Sequence, residues 1–212
     1  RGGTASATVT VTIVCPSGGG QRTQALASDF GLPPAGTGAI VTLIGDGEVR
    51  LAGLQGDEYS TAALNSALWT AGTWSGGALT PAITGGALSL GNAAGAYVRS
   101  ASVLPVTSVE FTARFTGATW EHIGWGDLDF ASSYFLFSTF NTSDTLFVRS
   151  ALAGSEQRTS LGPIPTGFHT YRIDRLTLSP TTNAMSYYID GVFQAQHTVG
   201  VVPAMHVYQS HS

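Results

Sequence analysis

The sequence contains few charged residues and no lysine. Nine arginines stand against 13 acidic residues in 212, and charged residues make up only 10% of the chain. A formal net charge of −4 with no cluster of basic residues argues against nucleic acid as a partner, because phosphate backbones are gripped by dense Lys and Arg contacts. The single Cys15 excludes a disulfide within the chain.

Long apolar runs and sustained helical periodicity are also absent. No segment approaches the length of apolar sequence that a membrane-spanning helix needs. No glycine-rich phosphate loop precedes a helix, and no Gly-x-Ser-x-Gly elbow occurs, so neither a nucleotide cofactor nor a serine nucleophile of that type is predicted. The chain begins at Arg1 without a signal-peptide pattern, which indicates an excised or processed piece of a longer protein.

What the sequence does contain is a series of short β-like runs separated by turn residues. Hydrophobic residues make up 43% of the chain and glycines number 27, which suits one core built from many strands and tight turns. Asp190-Gly191 separates two β-rich runs and predicts a type I′ hairpin. We predict strands at residues 87–90, 96–101, 108–115, 122–125, 134–139, 145–150, 169–178, 185–189 and 192–199. Their spacing is typical of an all-β sandwich.

Two strings carry a family resemblance, HTYRID at residues 169–174 and YYIDGV at residues 187–192. They resemble paired strands of the concanavalin A-like jelly-roll superfamily, which includes laminin-G-like and legume-lectin-like binding domains and family-16 glycoside hydrolases. The string LNSALW at residues 64–69 looks like the first strand of these domains. The resemblance implies a two-sheet antiparallel jelly-roll sandwich over residues 57–212, with a concave face that binds or cleaves a glycan in many relatives.

The residues before the sandwich divide into two parts. Residues 1–14 alternate small polar and β-branched side chains and resemble the last strand of a cadherin- or immunoglobulin-like repeat of bacterial surface proteins. Residues 15–56 are rich in Gly, Pro and Ser and are interpreted as a linker, with a β-hairpin turning at Gly45-Asp46-Gly47. The resemblance implies a secreted or cell-surface location in a multidomain bacterial protein.

The densest group of functional-type residues lies between Trp120 and Phe130. If this segment continues as a strand, its period of two places Glu121, Trp125, Asp127 and Asp129 on one face. An indole ring beside carboxylates suits a sugar, because the ring stacks on the pyranose and the carboxylates accept hydrogen bonds or transfer protons. An equally weighted interpretation places both aspartates in a loop that caps turns and the tryptophans in the core.

Family-16 hydrolases carry Glu-x-Asp-x-x-Glu on their catalytic strand, and the resemblance places Asp127 at the nucleophile position and Asp129 at the helper position. The acid/base position holds Ala131 or Ser132, neither of which can protonate a leaving group. A hydrolase would therefore need a carboxylate from elsewhere, such as Glu110 or Glu156.

Metal sites are only faintly indicated. Oxygen ligands from Asp127, Asp129, Asn141 and Asp144 would suit a structural Ca²⁺, although their spacing matches no calcium loop. A transition-metal site formed by His197 and His206 across adjacent strands is the less favoured interpretation of these histidines, because no ligand motif is present and lone histidines at strand ends are more often surface or satisfied core residues.

These observations favour a carbohydrate-binding or adhesive module that holds a polysaccharide or surface glycan on its concave face. The predicted binding residues are Trp125, Asp127 and Asp129, with Glu121 and Arg149 as further members. The alternatives are a glycoside hydrolase that uses Asp127 and Asp129 with a further carboxylate, and a structural spacer without a ligand. Glycan identity and oligomeric state are left open by the sequence.

Overall fold

The computed structural model describes residues 39–41, 49–51, 54–91 and 95–211, and for 39–41, 49–51 and Asp129 it describes the backbone alone. The chain divides into two units, Arg1–Glu58 and Tyr59–Ser212. In the first, strand β1 (Ala39–Val41) pairs antiparallel with β2 (Val49–Leu51), as the predicted hairpin requires. The predicted cadherin-like strand at residues 1–14 lies outside the described residues, as does most of the predicted linker.

The second unit consists of strands joined by turns. Its strands are β3 (Trp69–Thr73), β4 (Ala82–Thr84), β5 (Ala87–Ser89), β6 (Ala96–Ser100), β7 (Ser108–Ala113), β8 (His122–Gly126), β9 (Tyr134–Ser138), β10 (Thr145–Leu152), β11 (Ser155–Pro163), β12 (His169–Ser179), β13 (Thr182–Ile189), β14 (Val192–Val199) and β15 (His206–His211). A single 3₁₀ turn, η1 (Leu128–Phe130), follows β8. Across the described ranges no helix is long and apolar enough to cross a bilayer.

Eleven of these strands form two antiparallel sheets. The larger has the order β11-β10-β9-β8-β15-β6-β3, and the smaller has the order β14-β13-β12-β7. Strands β4 and β5 form a separate short hairpin. The predicted all-β, two-sheet antiparallel sandwich is confirmed.

The main hydrophobic core lies between the two sheets. The larger sheet contributes Ile123, Trp125, Phe135, Phe137, Leu146, Val148 and Val207, and the smaller contributes Tyr171, Ile173, Met185, Tyr187, Ala195 and Val199. On β8, β9 and β12 these residues alternate with side chains that point away from the core, as expected for strands with a period of two. The core therefore fixes which side chains the larger sheet presents on its other face.

A buried polar network also ties the two sheets together. The Ser150 Oγ atom lies 2.6 Å from the Tyr187 hydroxyl oxygen and 2.8 Å from His197 Nδ1, and His197 Nε2 lies 2.9 Å from Thr159 Oγ1. His197 is therefore occupied on both nitrogens inside the sandwich. His206 lies on the larger sheet, and its Nδ1 atom lies 2.8 Å from the Ser100 carbonyl oxygen.

The Asp190-Gly191 hairpin forms as predicted. Both residues have positive φ, 51° and 76°, which a type I′ turn requires. The Asp190 carboxylate also lies 2.6 Å from His169 Nδ1 and accepts the Thr170 backbone N–H at 2.9 Å. The hydrogen bond between the two side chains raises the pKa of His169 and lowers the pKa of Asp190, so the turn is clasped to the start of β12.

Candidate functional site

Strand β8 defines the candidate site, because it lies within the segment between Trp120 and Phe130 that is densest in functional-type residues. Ile123 and Trp125 point into the core, so the opposite surface of the strand carries His122, Gly124 and Gly126. We call this surface of the seven-stranded sheet the outer face.

Strand register lines up three rows of residues on the outer face, each running across the strands. The first is Glu156, Ala151, Tyr134, Gly126 and His206. The second is Arg158, Arg149, Leu136, Gly124, Tyr208, Arg99 and Thr70. The third is Ser160, Phe147, Ser138, His122, Ser210, Tyr97 and Gly72.

Aromatic rings from strands and loops cover these rows in a continuous band. We use the name aromatic band for the six half-buried side chains Trp74, Tyr97, Trp120, Phe130, Tyr134 and Phe140. Ring centroids are 4.8 Å apart for Trp74–Tyr97, 5.4 Å for Trp74–Phe130, 6.1 Å for Phe130–Tyr134 and 4.8 Å for Trp120–Phe140. The His122 ring bridges the two ends, at 5.7 Å from Phe130 and 6.2 Å from Trp120. The band therefore spans the sheet with partly exposed rings.

Three members of the band sit on strained backbone. Trp120, Phe130 and Phe140 have φ values of 61°, 52° and 51°, in the left-handed region that bulky residues avoid. Each such residue costs on the order of 1–3 kcal/mol, and strain of this kind concentrates at functional sites. The presentation of these three rings on one surface therefore costs folding free energy.

Glycines make room for two rings of the band. A Cβ placed on Gly72 would lie 2.7 Å from the Tyr97 hydroxyl oxygen, and a Cβ on Gly126 would overlap the Phe130 ring. Both rings therefore lie directly on the backbone of a neighbouring strand. Glycine at these two positions leaves the space that the rings of the band occupy.

Polar chemistry on the outer face centres on Arg149, which is buried. Its guanidinium donates to both oxygens of the Glu156 carboxylate, at 3.0 and 2.9 Å, and to the Tyr134 hydroxyl at 2.9 Å. The Tyr134 hydroxyl in turn donates to Glu156 at 2.6 Å. The hydrogen bond from Arg149 is the main cause that holds the pKa of Glu156 below its usual value, and burial is the main cause that raises the pKa of Tyr134 to about 12.

His122 supplies a neutral polar group beneath the band. Burial, helped by the positive charge of Arg149, lowers the pKa of His122 to about 3, so the imidazole carries no charge at neutral pH. Its Nδ1 atom and the Oγ atom of Ser210, its register partner, are buried and have no hydrogen-bond partner among the described residues.

The structure corrects the predicted role of Trp125. The period of two in the sequence predicts Trp125 on a ligand-facing strand surface, but its side chain is 2% exposed and packs in the core between the sheets. The assignment of faces is wrong because the indole ring fills the core, whereas Gly124 and Gly126 leave room on the other side. Trp125 cannot stack on a sugar in this structure.

The predicted carboxylates Glu121 and Asp127 flank β8, one at each end, and each is engaged in a turn. The Glu121 carboxylate accepts the backbone N–H groups of Thr116 and Gly117 at 2.9–3.0 Å and so closes the preceding turn. Asp127 follows the strand, and its Oδ2 atom accepts hydrogen bonds from Ser132 and Ser133 at 2.8–3.0 Å. The loop-capping interpretation therefore describes Asp127. Asp129 lies in η1, and its side chain falls outside the described residues.

The remaining predicted groups are divided between the two sheets. Arg149 lies on the outer face, whereas Glu110 lies on β7 of the smaller sheet. Within the part of the chain whose side chains are described, no three His, Cys, Asp or Glu side chains converge as a metal site would require. The calcium site, which needs Asp129, stays a prediction.

Two surface depressions lie away from the aromatic band. One, of about 520 Å³, is bordered by Arg114, Phe115 and the loop around Pro165. A second, of about 320 Å³, lies beside His169, Asp190 and Val192. Neither borders on the aromatic band.

Comparisons with known proteins support the fold. No family model and no curated protein matches the chain. Among solved structures, a GlcNAcα1-4Gal-releasing endo-β-galactosidase from Clostridium perfringens matches with a TM-score of 0.51 at 14% identity over 72% of this chain, which spans 54% of that protein. A β-glucanase from Bacillus licheniformis matches with a TM-score of 0.47 at 13% identity, over 72% of this chain and 81% of that one. The carbohydrate-binding module CBM66 from Bacillus subtilis matches with a TM-score of 0.43 at 14% identity, over 68% and 94%.

The match to the endo-β-galactosidase and the strand order of the two sheets confirm the predicted concanavalin A-like jelly-roll fold. Identities this low show the fold alone. The predicted cadherin-like remnant at the start of the chain receives no support from the comparisons.

Proposed function

We propose that the protein is a non-catalytic module of an exported protein that binds a polysaccharide across the aromatic band of its outer face. The observation that carries the proposal is the band itself, in which Trp120, Phe130 and Phe140 adopt strained backbone on one surface. A structural spacer without a ligand would have no use for rings that cost stability and stay partly exposed to water.

The chemistry of the band suits a sugar. Each pyranose presents an apolar face of C–H groups that packs on an aromatic ring, and its hydroxyls need hydrogen-bond partners. The Arg149–Glu156–Tyr134 cluster lies beside the rings and offers both donors and acceptors. Because the rows run across the strands, a polymer lying along them would meet several rings in succession.

Hydrolysis is disfavoured by the carboxylates of the outer face. A retaining hydrolase needs two carboxyls about 5–5.5 Å apart, one of them with a raised pKa so that it can donate a proton. Strand β8 presents His122, Gly124 and Gly126 instead of carboxylates. Glu156 is held ionised by Arg149, which is opposite to what a general acid requires.

The structural neighbours fit the same proposal. The endo-β-galactosidase that shares this fold releases GlcNAcα1-4Gal, so the architecture accommodates a glycan in that protein. For this chain the likeness supports a sugar ligand and gives no ground for preferring cleavage to binding.

Incubation with a set of polysaccharides immobilised on beads tests the proposal. The set contains a β-glucan, a xylan, agarose and two acidic polymers, polygalacturonate and κ-carrageenan, and both bound protein and released reducing ends are measured. We expect at least one polymer to retain the protein, with reducing ends no higher than in a protein-free control. Release of reducing ends would establish the hydrolase, and failure of every polymer to retain the protein would overturn the proposal.

A further inference from the structure

The edge of the outer face formed by β10 and β11 carries two arginines side by side. Arg149 and Arg158 are direct cross-strand partners, and both point outward. Their guanidinium carbons lie 4.6 and 4.3 Å from the centroid of the Phe140 ring. The two positive charges are thus within about 9 Å of each other, which is inside the Debye length of roughly 10 Å at 0.1 M salt.

Like charges placed directly opposite each other on neighbouring strands destabilise a sheet. Glu156 is the one carboxylate in the three rows, and both of its oxygens are engaged by Arg149. The cluster of Arg149, Arg158 and Glu156 therefore keeps one positive charge in excess, in a chain whose formal net charge is −4.

The excess positive charge lies on Arg158, which is accessible to a ligand. The residue is exposed, whereas Arg149 is 7% exposed. Arg158 forms no ion pair with any residue that the structure describes, and its guanidinium is steadied over the rings of Phe140 and Phe147 at 4.3 and 5.6 Å. Stacking of this kind restrains the guanidinium while leaving its edge N–H groups available.

We propose that the polysaccharide bound on the outer face is acidic and that Arg158 pairs with its carboxylate or sulfate groups. This inference rests on the proposed function and specifies its substrate class. A planar guanidinium donates two parallel hydrogen bonds to a carboxylate or sulfate, and a neutral sugar hydroxyl does not offer that match. An anionic group bound between Arg149 and Arg158 also offsets the repulsion between their two positive charges.

The test compares polymers that differ mainly in charge. Agarose and κ-carrageenan form one neutral and sulfated pair, and a neutral galactan and polygalacturonate form a second pair. Binding of each soluble polymer is measured for the wild type, Arg158→Gln and Arg114→Gln at low and high salt. Arg114 is the matched control, because it is also an exposed arginine stacked near a phenylalanine, Phe168, at 5.7 Å, and it lies beyond the end of β7 in the smaller sheet.

We expect an acidic polymer to bind more tightly than its neutral counterpart and to lose affinity as salt is raised. Arg158→Gln should weaken binding of the acidic polymer by about tenfold or more, as expected for loss of a charge-assisted hydrogen bond, and Arg114→Gln should leave it unchanged. The acidic polymer should also raise the melting temperature of the wild type more than that of Arg158→Gln.

Two results would overturn the inference while leaving the proposed function standing. One is tight binding of neutral polymers with none of the acidic ones. The other is binding of an acidic polymer that Arg158→Gln does not weaken. Absence of binding to every polymer would instead count against the proposed function, and the inference would fall with it.

Discussion

Replacing Trp120 by glycine is expected to weaken polysaccharide binding by about thirtyfold while leaving the fold intact. Loss of a large aromatic side chain from a binding surface costs about 2 kcal/mol or more, which corresponds to that factor. Glycine is chosen because Trp120 has a φ of 61°, and glycine adopts this conformation without strain. Relief of strain offsets part of the packing that the ring gives to Phe140, so the melting temperature should change by only a few degrees.

Two further variants make the result specific. Trp120→Phe keeps an aromatic ring on the same backbone and should retain most of the affinity. Phe193→Ala removes an exposed aromatic ring that packs beside Tyr188 on the smaller sheet, and it should bind like the wild type. Equal affinity of Trp120→Gly and the wild type, measured by titration calorimetry, would show that the ligand does not contact this end of the aromatic band.

The second large effect is expected from Gly124→Ala, which should lower the free energy of unfolding by more than about 4 kcal/mol, a loss seen only for severe core disruption. Gly124 lies at the centre of the outer face with a φ of 145°. An added Cβ would overlap the Phe135 carbonyl oxygen and lie 3.0 Å from Ile173 Cδ1 and 3.1 Å from Leu136 Cα. Backbone cannot move aside as a flexible side chain can, so β8 and β9 would separate.

Gly154→Ala separates this clash from the cost of positive φ alone. Gly154 has a φ of 82° in the turn between β10 and β11, and a Cβ there would meet no atom within 4 Å. Its alanine variant should lose about 1–2 kcal/mol, the cost of left-handed backbone without a steric overlap. Urea denaturation measures both values, and a loss for Gly124→Ala no larger than that for Gly154→Ala would refute the packing described for β8.

Nine of the thirteen strands of the second unit could be predicted from sequence because their signals are local, whereas residues 64–69, expected to be the first strand, form a turn that leads into β3 at Trp69. The Asp190-Gly191 turn specifies a hairpin by itself, and the run at residues 192–199 coincides with β14. Strand β11 was not predicted, since Ser155–Pro163 is an edge strand that stays largely exposed and so lacks alternating polarity. Sequence polarity reports burial, and an edge strand with little burial gives little signal.

The candidate site was predicted only in part, for a physical reason that β8 makes plain. A period of two identifies two faces of a strand without saying which one meets the core. The glycines indicate which face of β8 meets the core, because Gly124 and Gly126 have no side chains to fill it, whereas Ile123 and Trp125 do. Arg149, named among the binding residues without a face, lies on the outer face, whereas Trp125 lies in the core.

Most of the aromatic band could not be found by periodicity. Trp74, Trp120, Phe130 and Phe140 lie outside the strands, and their rings meet only when the sheet has formed. The left-handed backbone of Trp120, Phe130 and Phe140 has no sequence signature either, because glycine and asparagine are the residues that normally mark such positions. Trp74 and Phe140 are far apart in the sequence, and only the register of the seven strands brings the rings of the band onto one surface.

The most direct test of a ligand on the outer face is to follow the indole N–H signals of the four tryptophans by nuclear magnetic resonance. Oligosaccharide fragments of the polymer that retains the protein best are titrated in, and single Trp→Phe variants assign the signals. We expect the signals of Trp74 and Trp120 to shift progressively with ligand while that of Trp125, which is buried in the core, stays in place. Shifts confined to the backbone of the smaller sheet, with Trp74 and Trp120 unmoved at saturation, would contradict it.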